Sequence, residues 1–239
     1  ALLQRLGYHP LAIEDALSTQ YRRPKVEDYG DHLFMVLHGI DYEQSVEATE
    51  TTELDLFVGP RVVVSSSTGT MPWCDPLVEQ HARIMERGVA TLTYAIIDAL
   101  VDSVLPPVER MEEIADVLEE HALDHPTPEI LDHIVRLKRS AALVHRVMQP
   151  QREVIARLAR GDYPLLDGDR TAYFRDVVDH LARIEDFAHD LRDRADYLVL
   201  TYHSALGLRQ NESMRQLAVV ASIFMPLTLL TGINGMNFE

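Results

Sequence analysis

Leu217-Ala-Val-Val-Ala-Ser-Ile-Phe-Met-Pro-Leu-Thr-Leu-Leu-Thr-Gly-Ile233 is the stretch from which the architecture of this 239-residue chain is read. It lies in a charge-free run, 216 to 238, and comes close to the roughly 20 apolar residues that cross a bilayer as a helix. Arg209 and Arg215 precede it, as the bias of basic residues toward the cytoplasmic flank requires. Pro226 and Gly232 within it are residue types commoner in membrane helices than in soluble ones. The reading is a transmembrane helix; a helix buried at the centre of a soluble domain is the alternative that composition leaves open.

Upstream, residues 174 to 214 carry apolar side chains at alternating steps of four and three: Val177, Leu181, Ile184, Ala188, Leu191, Ala195, Leu198, Tyr202 and Ala205. With no proline between Pro164 and Pro226, this helix is expected to continue into the apolar run, about 50 residues and on the order of 75 Å. Such a rod must pack against other helices of its own chain or of further copies.

Two more helical stretches, 76 to 121 and 127 to 160, are rich in Ala, Leu, Glu and Arg and read as an antiparallel pair. Pro106-Pro107 and Pro150 predict a kink or interruption in each, and His125-Pro-Thr-Pro128 the turn between them, with Thr127 as N-cap. The first third differs. His32-Leu-Phe-Met-Val-Leu-His-Gly-Ile40, residues 52 to 58 and residues 61 to 67 are short β-branched or aromatic runs, and Gly59-Pro60 makes a hairpin of the last two. A short helix is expected from 10 to 18. The predicted fold class is therefore α+β: an N-terminal α/β domain (1–72), a helical pair (73–170), a long stalk helix (171–215) and a transmembrane helix (216–239).

Charge narrows the function. With 38 Asp and Glu against 22 Lys and Arg the formal net charge is -16, which argues against nucleic acid, since phosphate binding needs clustered Lys and Arg. Cations are the natural partners, and any assembly that brings acidic faces together would depend on counter-ions. The single cysteine, Cys74, excludes a disulfide framework and a Cys-rich zinc site, and suits a reducing compartment. Residues 1 to 11 lack a basic stretch followed by an apolar one, so no signal peptide is expected. His121 and His125 have H-x-x-x-H spacing, but without an intervening Glu and with Pro126 next to them they do not read as a zinc site. Ser65-Ser-Ser67 lacks a nucleophile-elbow context, and no Walker or dinucleotide glycine pattern occurs, so no enzyme is expected.

Gly235-Met236-Asn237, followed by Phe238-Glu239, closes the apolar run. Together with Ile223-Phe-Met-Pro-Leu-Thr228, His9-Pro-Leu-Ala-Ile-Glu-Asp15, Arg23-Pro-Lys-Val-Glu27, Ile97-Asp-Ala-Leu-Val-Asp102 and Tyr173-Phe-Arg-Asp-Val-Val-Asp-His180, it resembles the CorA family of divalent-cation channels over nearly the whole chain. The resemblance implies a homopentamer in the cell membrane, mostly cytoplasmic, that passes Mg2+ and also Co2+ or Ni2+, with Gly235, Met236 and Asn237 as the selectivity filter. The chemistry is consistent. Mg2+ dehydrates reluctantly, so a ring of Asn237 carbonyl oxygens, helped by the Gly235 carbonyl, can accept hydrogen bonds from its water shell. The other reading of Gly235 and Asn237 is a plain helix C-cap.

Stepping down the helix by three or four residues from the triplet gives Thr228, Met225, Ala221, Ala218, Leu217, Met214 and Asn211 on one face, the expected pore lining. Met214, Leu217 and Ala218 would gate by dewetting, and Asn211 and Thr228 would offer polar rings; packing of this face on a second membrane helix is the alternative. The chain departs from the family pattern at Leu200, where an acidic residue is expected, and Asp196 is the nearest carboxylate. The resemblance also implies regulatory Mg2+ held between subunits by Glu14, Asp15, Asp98 and Asp176, whose other reading is solvated surface charge. A ZntB-type zinc transporter shares the triplet, so Zn2+ is the competing ion, and a membrane-anchored helical scaffold is the reading from another class. Family members continue into a second transmembrane helix and begin with further strands, so this chain is expected to be part of a longer channel subunit.

Overall fold

The computed structural model describes residues 2–18, 20–43, 48–166 and 171–235. The β-branched and aromatic runs of the first third form a four-stranded antiparallel sheet in the order β1 (Lys25–Asp28), β2 (Leu33–Glu43), β3 (Ala48–Val58) and β4 (Val63–Ser67). β2 and β3 pair Phe34 with Phe57 and Leu37 with Leu54. Side chains alternate across a strand, so Met35, Leu37, Leu54, Leu56 and Val58 enter the main core, while Phe34, Val36 and Phe57 meet Tyr8, Ala12 and Ile13 on the opposite face. That second face is covered by α2 (Pro10–Leu17), which follows the single-turn α1 (Leu2–Arg5). Burial on both faces explains why β2 is almost continuously apolar. The Gly59 N–H donates to the Val62 carbonyl at 2.9 Å and closes the β3–β4 hairpin.

The stretch read as one helix from 76 to 121 is three: α3 (Asp75–Met85), α4 (Val89–Asp102) and α5 (Leu105–Asp124). Gly88, at φ 101°, breaks the first pair in a conformation that disfavours any Cβ. Pro106 and Pro107 fall in the first turn of α5, where a missing N–H costs no helical hydrogen bond. α4 is the core helix, with seven buried residues including Ile97, Leu100 and Val101. It lies so close to β2 that a Cβ at Gly39 would sit 3.2 Å from Leu100 Cδ1. α6 (Pro128–Ala159) runs through Pro150 without ending, its apolar face held in the core by Val147, Met148, Val154 and Ile155.

α7 spans Thr171–Gly235, 65 residues and about 100 Å. All nine positions of its stripe, from Val177 to Ala205, are buried, packed against α6 and α5. Beyond Ala205 the helix leaves the core, and every residue from 208 to 233 is exposed. The apolar window of α7 has a mean hydropathy of 1.8 and none of it is buried. A second apolar stretch, Val89–Asp124, is 44% buried in its most apolar window, as befits the core helices α4 and α5.

Candidate cation pathway and acidic corner

Two regions bring together the chemistry expected of a cation transporter. The first is the bare end of α7. At 100° per residue Asn211, Met214, Leu217, Ala218, Ala221, Met225 and Thr228 fall within an arc of about 120°. All are exposed, Met214 by 60%, Leu217 by 70% and Met225 by 74%. The Thr228 hydroxyl donates to the Phe224 carbonyl at 2.8 Å, which spends its proton inside the helix and turns its oxygen lone pairs outward. Such an oxygen accepts from the water shell of a cation. Gly235 is the last helical residue; Met236 and Asn237 lie outside the described residues. Asp196 makes an ion pair with Lys138 of α6, so the nearest carboxylate to the exposed Leu200 already has a cationic partner.

The second region is an acidic corner between α4 and α7. Asp98 and Asp102, four residues apart on α4, face His180 of α7, and one ligand atom from each lies within 4.8 Å of the others. His180 Nδ1 is 3.2 Å from Asp102 Oδ1, and its Nε2 is 3.9 Å from Asp176 Oδ2. Burial pushes the Asp98 carboxyl above its ordinary range, and the neighbouring Asp102 adds to this. The Tyr94 hydroxyl, pushed up to about 12 by burial and by the charge of Asp98, bonds Asp98.

Of the four carboxylates expected to regulate, the structure brings Asp98 and Asp176 to this corner. It does not bring Glu14 and Asp15 there within one chain, because α2 sits on the other face of the sheet. Glu14 is exposed. Asp15 holds Lys25 at 2.5 Å, and Lys25 in turn holds Glu27 at 2.7 Å. Sequence reasoning missed Asp102, His180 and Tyr94. Their signal is present as two four-residue steps, Asp98 to Asp102 and Asp176 to His180, on helices whose facing only the fold reveals.

The chain as a whole is similar in sequence and in fold to known proteins. The family model described as CorA-like Mg2+ transporter protein matches residues 1–239. The chain is similar to the cobalt/magnesium transport protein CorA of Thermotoga maritima, 35% identical over 237 residues that make up 98% of this chain and 67% of that protein. It is more distantly similar to the zinc transport protein ZntB of Yersinia enterocolitica, 24% identical over 239 residues, 99% of this chain and 72% of the relative. In fold it superposes on the CorA magnesium transporter of Methanocaldococcus jannaschii with a TM-score of 0.85 and 20% identity, covering 100% of this chain and 75% of that one. A packed core, an acidic corner and a bare apolar helix thus occur together in a sequence matched from end to end, and the chain belongs to the CorA-like Mg2+ transporter family.

Proposed function

We propose that this chain is a subunit of a homopentameric Mg2+ channel of the cell membrane, most of it cytoplasmic, in which five copies of α7 line the pore and a ring of Asn237 side chains forms the selective mouth. The observation that carries this reading is the continuity of α7. One unbroken helix passes from a packed core to an apolar segment whose residues from 208 to 233 are all exposed, so a bilayer and further copies are what can cover it. Hydrated Mg2+ would be held at the mouth by amide oxygens, pass Thr228, and meet a dewetting constriction at Met214, Leu217 and Ala218. Co2+ and Ni2+ are compatible cargo.

Cytosolic Mg2+ would gate the channel by bridging Asp98 and Asp176 of one protomer to Glu14 and Asp15 of its neighbour. With a net charge of -16 per chain, loss of those ions would let the ring splay and open, a shift set by their differential binding to the two states. The reading contains no enzymatic step. The test is ion flux into liposomes carrying the full-length protein: Mg2+ enters, and Asn237→Ala abolishes entry while the protein still folds. Zn2+ entry in preference to Mg2+ would favour the ZntB-type alternative, and flux indifferent to Asn237 would overturn the channel mouth.

A further inference from the structure

We propose that His9 and His32 make the start of α2 a proton-sensitive cap, so that acidification frees the first turn of this helix and opposes Mg2+ at Glu14 and Asp15. The effect on Mg2+, though not the cap itself, rests on the Mg2+-sensor reading above.

The start of α2 lacks the usual acceptors. Helix N-termini are commonly capped by Ser, Thr, Asp or Asn, and an acidic residue in the first turn adds a favourable charge; α2 has neither. Two imidazoles stand in their place. His9, the N-cap residue, accepts the Leu11 N–H on its own Nδ1 at 3.3 Å. The buried His32, at the entry to β2, accepts the His9 N–H on Nε2 at 3.2 Å. Its Nδ1 lies 2.6 Å from Asp31 Oδ1, so the proton of the neutral ring sits there and Nε2 keeps the lone pair that His9 needs.

An imidazole nitrogen accepts only while it carries no proton. Protonation of His32 at Nε2 would keep the contact with Asp31 but set N–H against N–H at His9. Protonation of His9 at Nδ1 does the same at Leu11, and each places positive charge at the positive end of the helix dipole. Both cap bonds are therefore present in neutral to alkaline solution and are lost as pH falls through the range, about 8 to 5, in which histidine titrates. The groups that face the two rings are Asp31, Tyr29, which stacks on His9 at 4.4 Å and on His32 at 5.1 Å, and Tyr8, edge-on to His32 at 4.9 Å. Burial pushes the Tyr8 hydroxyl up, and burial together with the bond to Glu27 pushes Tyr29 up to about 12, so both phenols stay protonated while the histidines change.

The cap is joined to Asp15 by side chains as well as by the helix. The Tyr29 hydroxyl donates to Glu27 at 2.8 Å, and Lys25 bridges Glu27 at 2.7 Å and Asp15 at 2.5 Å. One group of residues thus fixes both the start of α2 and its carboxylate. With the start released, Glu14 and Asp15 lose part of the preorganisation from which a bridging ion gains affinity.

The experiment compares the full-length wild type in detergent with the double variant His9→Asn/His32→Gln, whose amide oxygens can take the places of the two ring nitrogens and do not titrate. Hydrogen–deuterium exchange over residues 8–17 at about pH 8 and pH 6, corrected for the intrinsic pH dependence of exchange, reads the cap. Light scattering against Mg2+ concentration at the same two pH values reads the sensor. The expected result is protection about threefold or more lower at pH 6 in the wild type and unchanged in the double variant, with the Mg2+ midpoint of assembly raised by acid more in the wild type. Protection that ignores pH in the wild type, or falls equally in the variant, would overturn the cap. Equal acid shifts of the Mg2+ midpoint in the two proteins would overturn the antagonism. The two readings fail separately: a mass indifferent to Mg2+ with histidine-dependent loss of protection would sink the Mg2+ sensor alone, and Mg2+-dependent assembly with pH-independent protection would sink the cap alone.

Discussion

Gln151 of α6 is hydrogen-bonded twice to the backbone of His38 on β2: its Oε1 accepts from the His38 N–H at 2.7 Å, and its Nε2 donates to the His38 carbonyl at 3.2 Å. The side chain replaces a missing strand. β1 stops at Lys25, opposite Val36, because Pro24 before it cannot donate to the ladder, and His38 lies two residues further along. Gln151 is completely buried, so Gln151→Leu would strand a backbone donor and acceptor away from water. We expect a loss of about 2–4 kcal/mol, read as a lower midpoint in thermal or urea unfolding. A loss under about 0.5 kcal/mol would mean that water reaches His38.

Beside that contact, Arg22 holds two buried carboxylates, Glu53 and Asp55, with His38 Nε2 at 3.9 Å from Glu53. Burial pushes Asp55 up to about 6, against the pull of Arg22 and with the repulsion of Glu53 and Asp15. A carboxyl raised above its unfolded value favours the folded state when protonated, so its ionisation costs stability as pH rises from about 4 to 6. Two pKa units correspond to roughly 3 kcal/mol. His38, whose pKa is lowered by burial, acts in the opposite sense, losing stability as pH falls below its unfolded value. The comparison must therefore be between proteins: Asp55→Asn is expected to gain about 2 kcal/mol on the wild type at pH 7.5 relative to pH 4.5. Equal differences at the two pH values would show that Asp55 does not titrate in this range.

The α7 stripe sets the stability of the helical half. Leu181 is wholly buried, and Leu181→Ala should cost about 2–4 kcal/mol through lost transfer energy and the cavity left behind. Arg194 joins Asp116 at 2.6 Å and Glu119 at 2.7 Å, but at the surface, where such pairs contribute about 1 kcal/mol or less. Unfolding midpoints of the two variants should differ accordingly, and a larger loss for Arg194→Ala would reverse the assignment of where this helix is held.

The same stripe shows how far a sequence alone can be read. Its nine positions are legible because a 3.5-residue period has one physical cause, burial of one helix face, and all nine are buried. The charged Lys25-Val-Glu-Asp28 is not legible as β1, since only Val26 is buried in it; pairing with β2 overrides a weak local preference. Gly88 and Pro106 are ordinary punctuation whose effect depends on tertiary context: the first ends a helix with positive φ, while the second begins one where a kink is expected from sequence. Pro150 leaves α6 unbroken, because packing on the core holds the helix together on both sides of the missing N–H. At the site, Asp98 and Asp176 are found by motif. Asp102 and His180 become ligand candidates only once α4 and α7 are seen to face each other.

The proposed constriction makes the sharpest prediction about permeation. Met214 and Leu217 are 60% and 70% exposed on the proposed pore face, two large apolar side chains next along that face from the polar Asn211. If their rings exclude water in the closed state, a polar substituent should wet the pore. Full-length Leu217→Asn in liposomes is expected to admit Mg2+ several-fold faster than the wild type at millimolar Mg2+ on the cytoplasmic side, the condition under which the proposed gating closes the wild type. Adding Asn237→Ala should abolish that flux, since a wetted constriction cannot replace a lost selective mouth. A Leu217→Asn protein that stays as closed as the wild type would move the gate elsewhere on α7; flux surviving in the double variant would separate selectivity from Asn237.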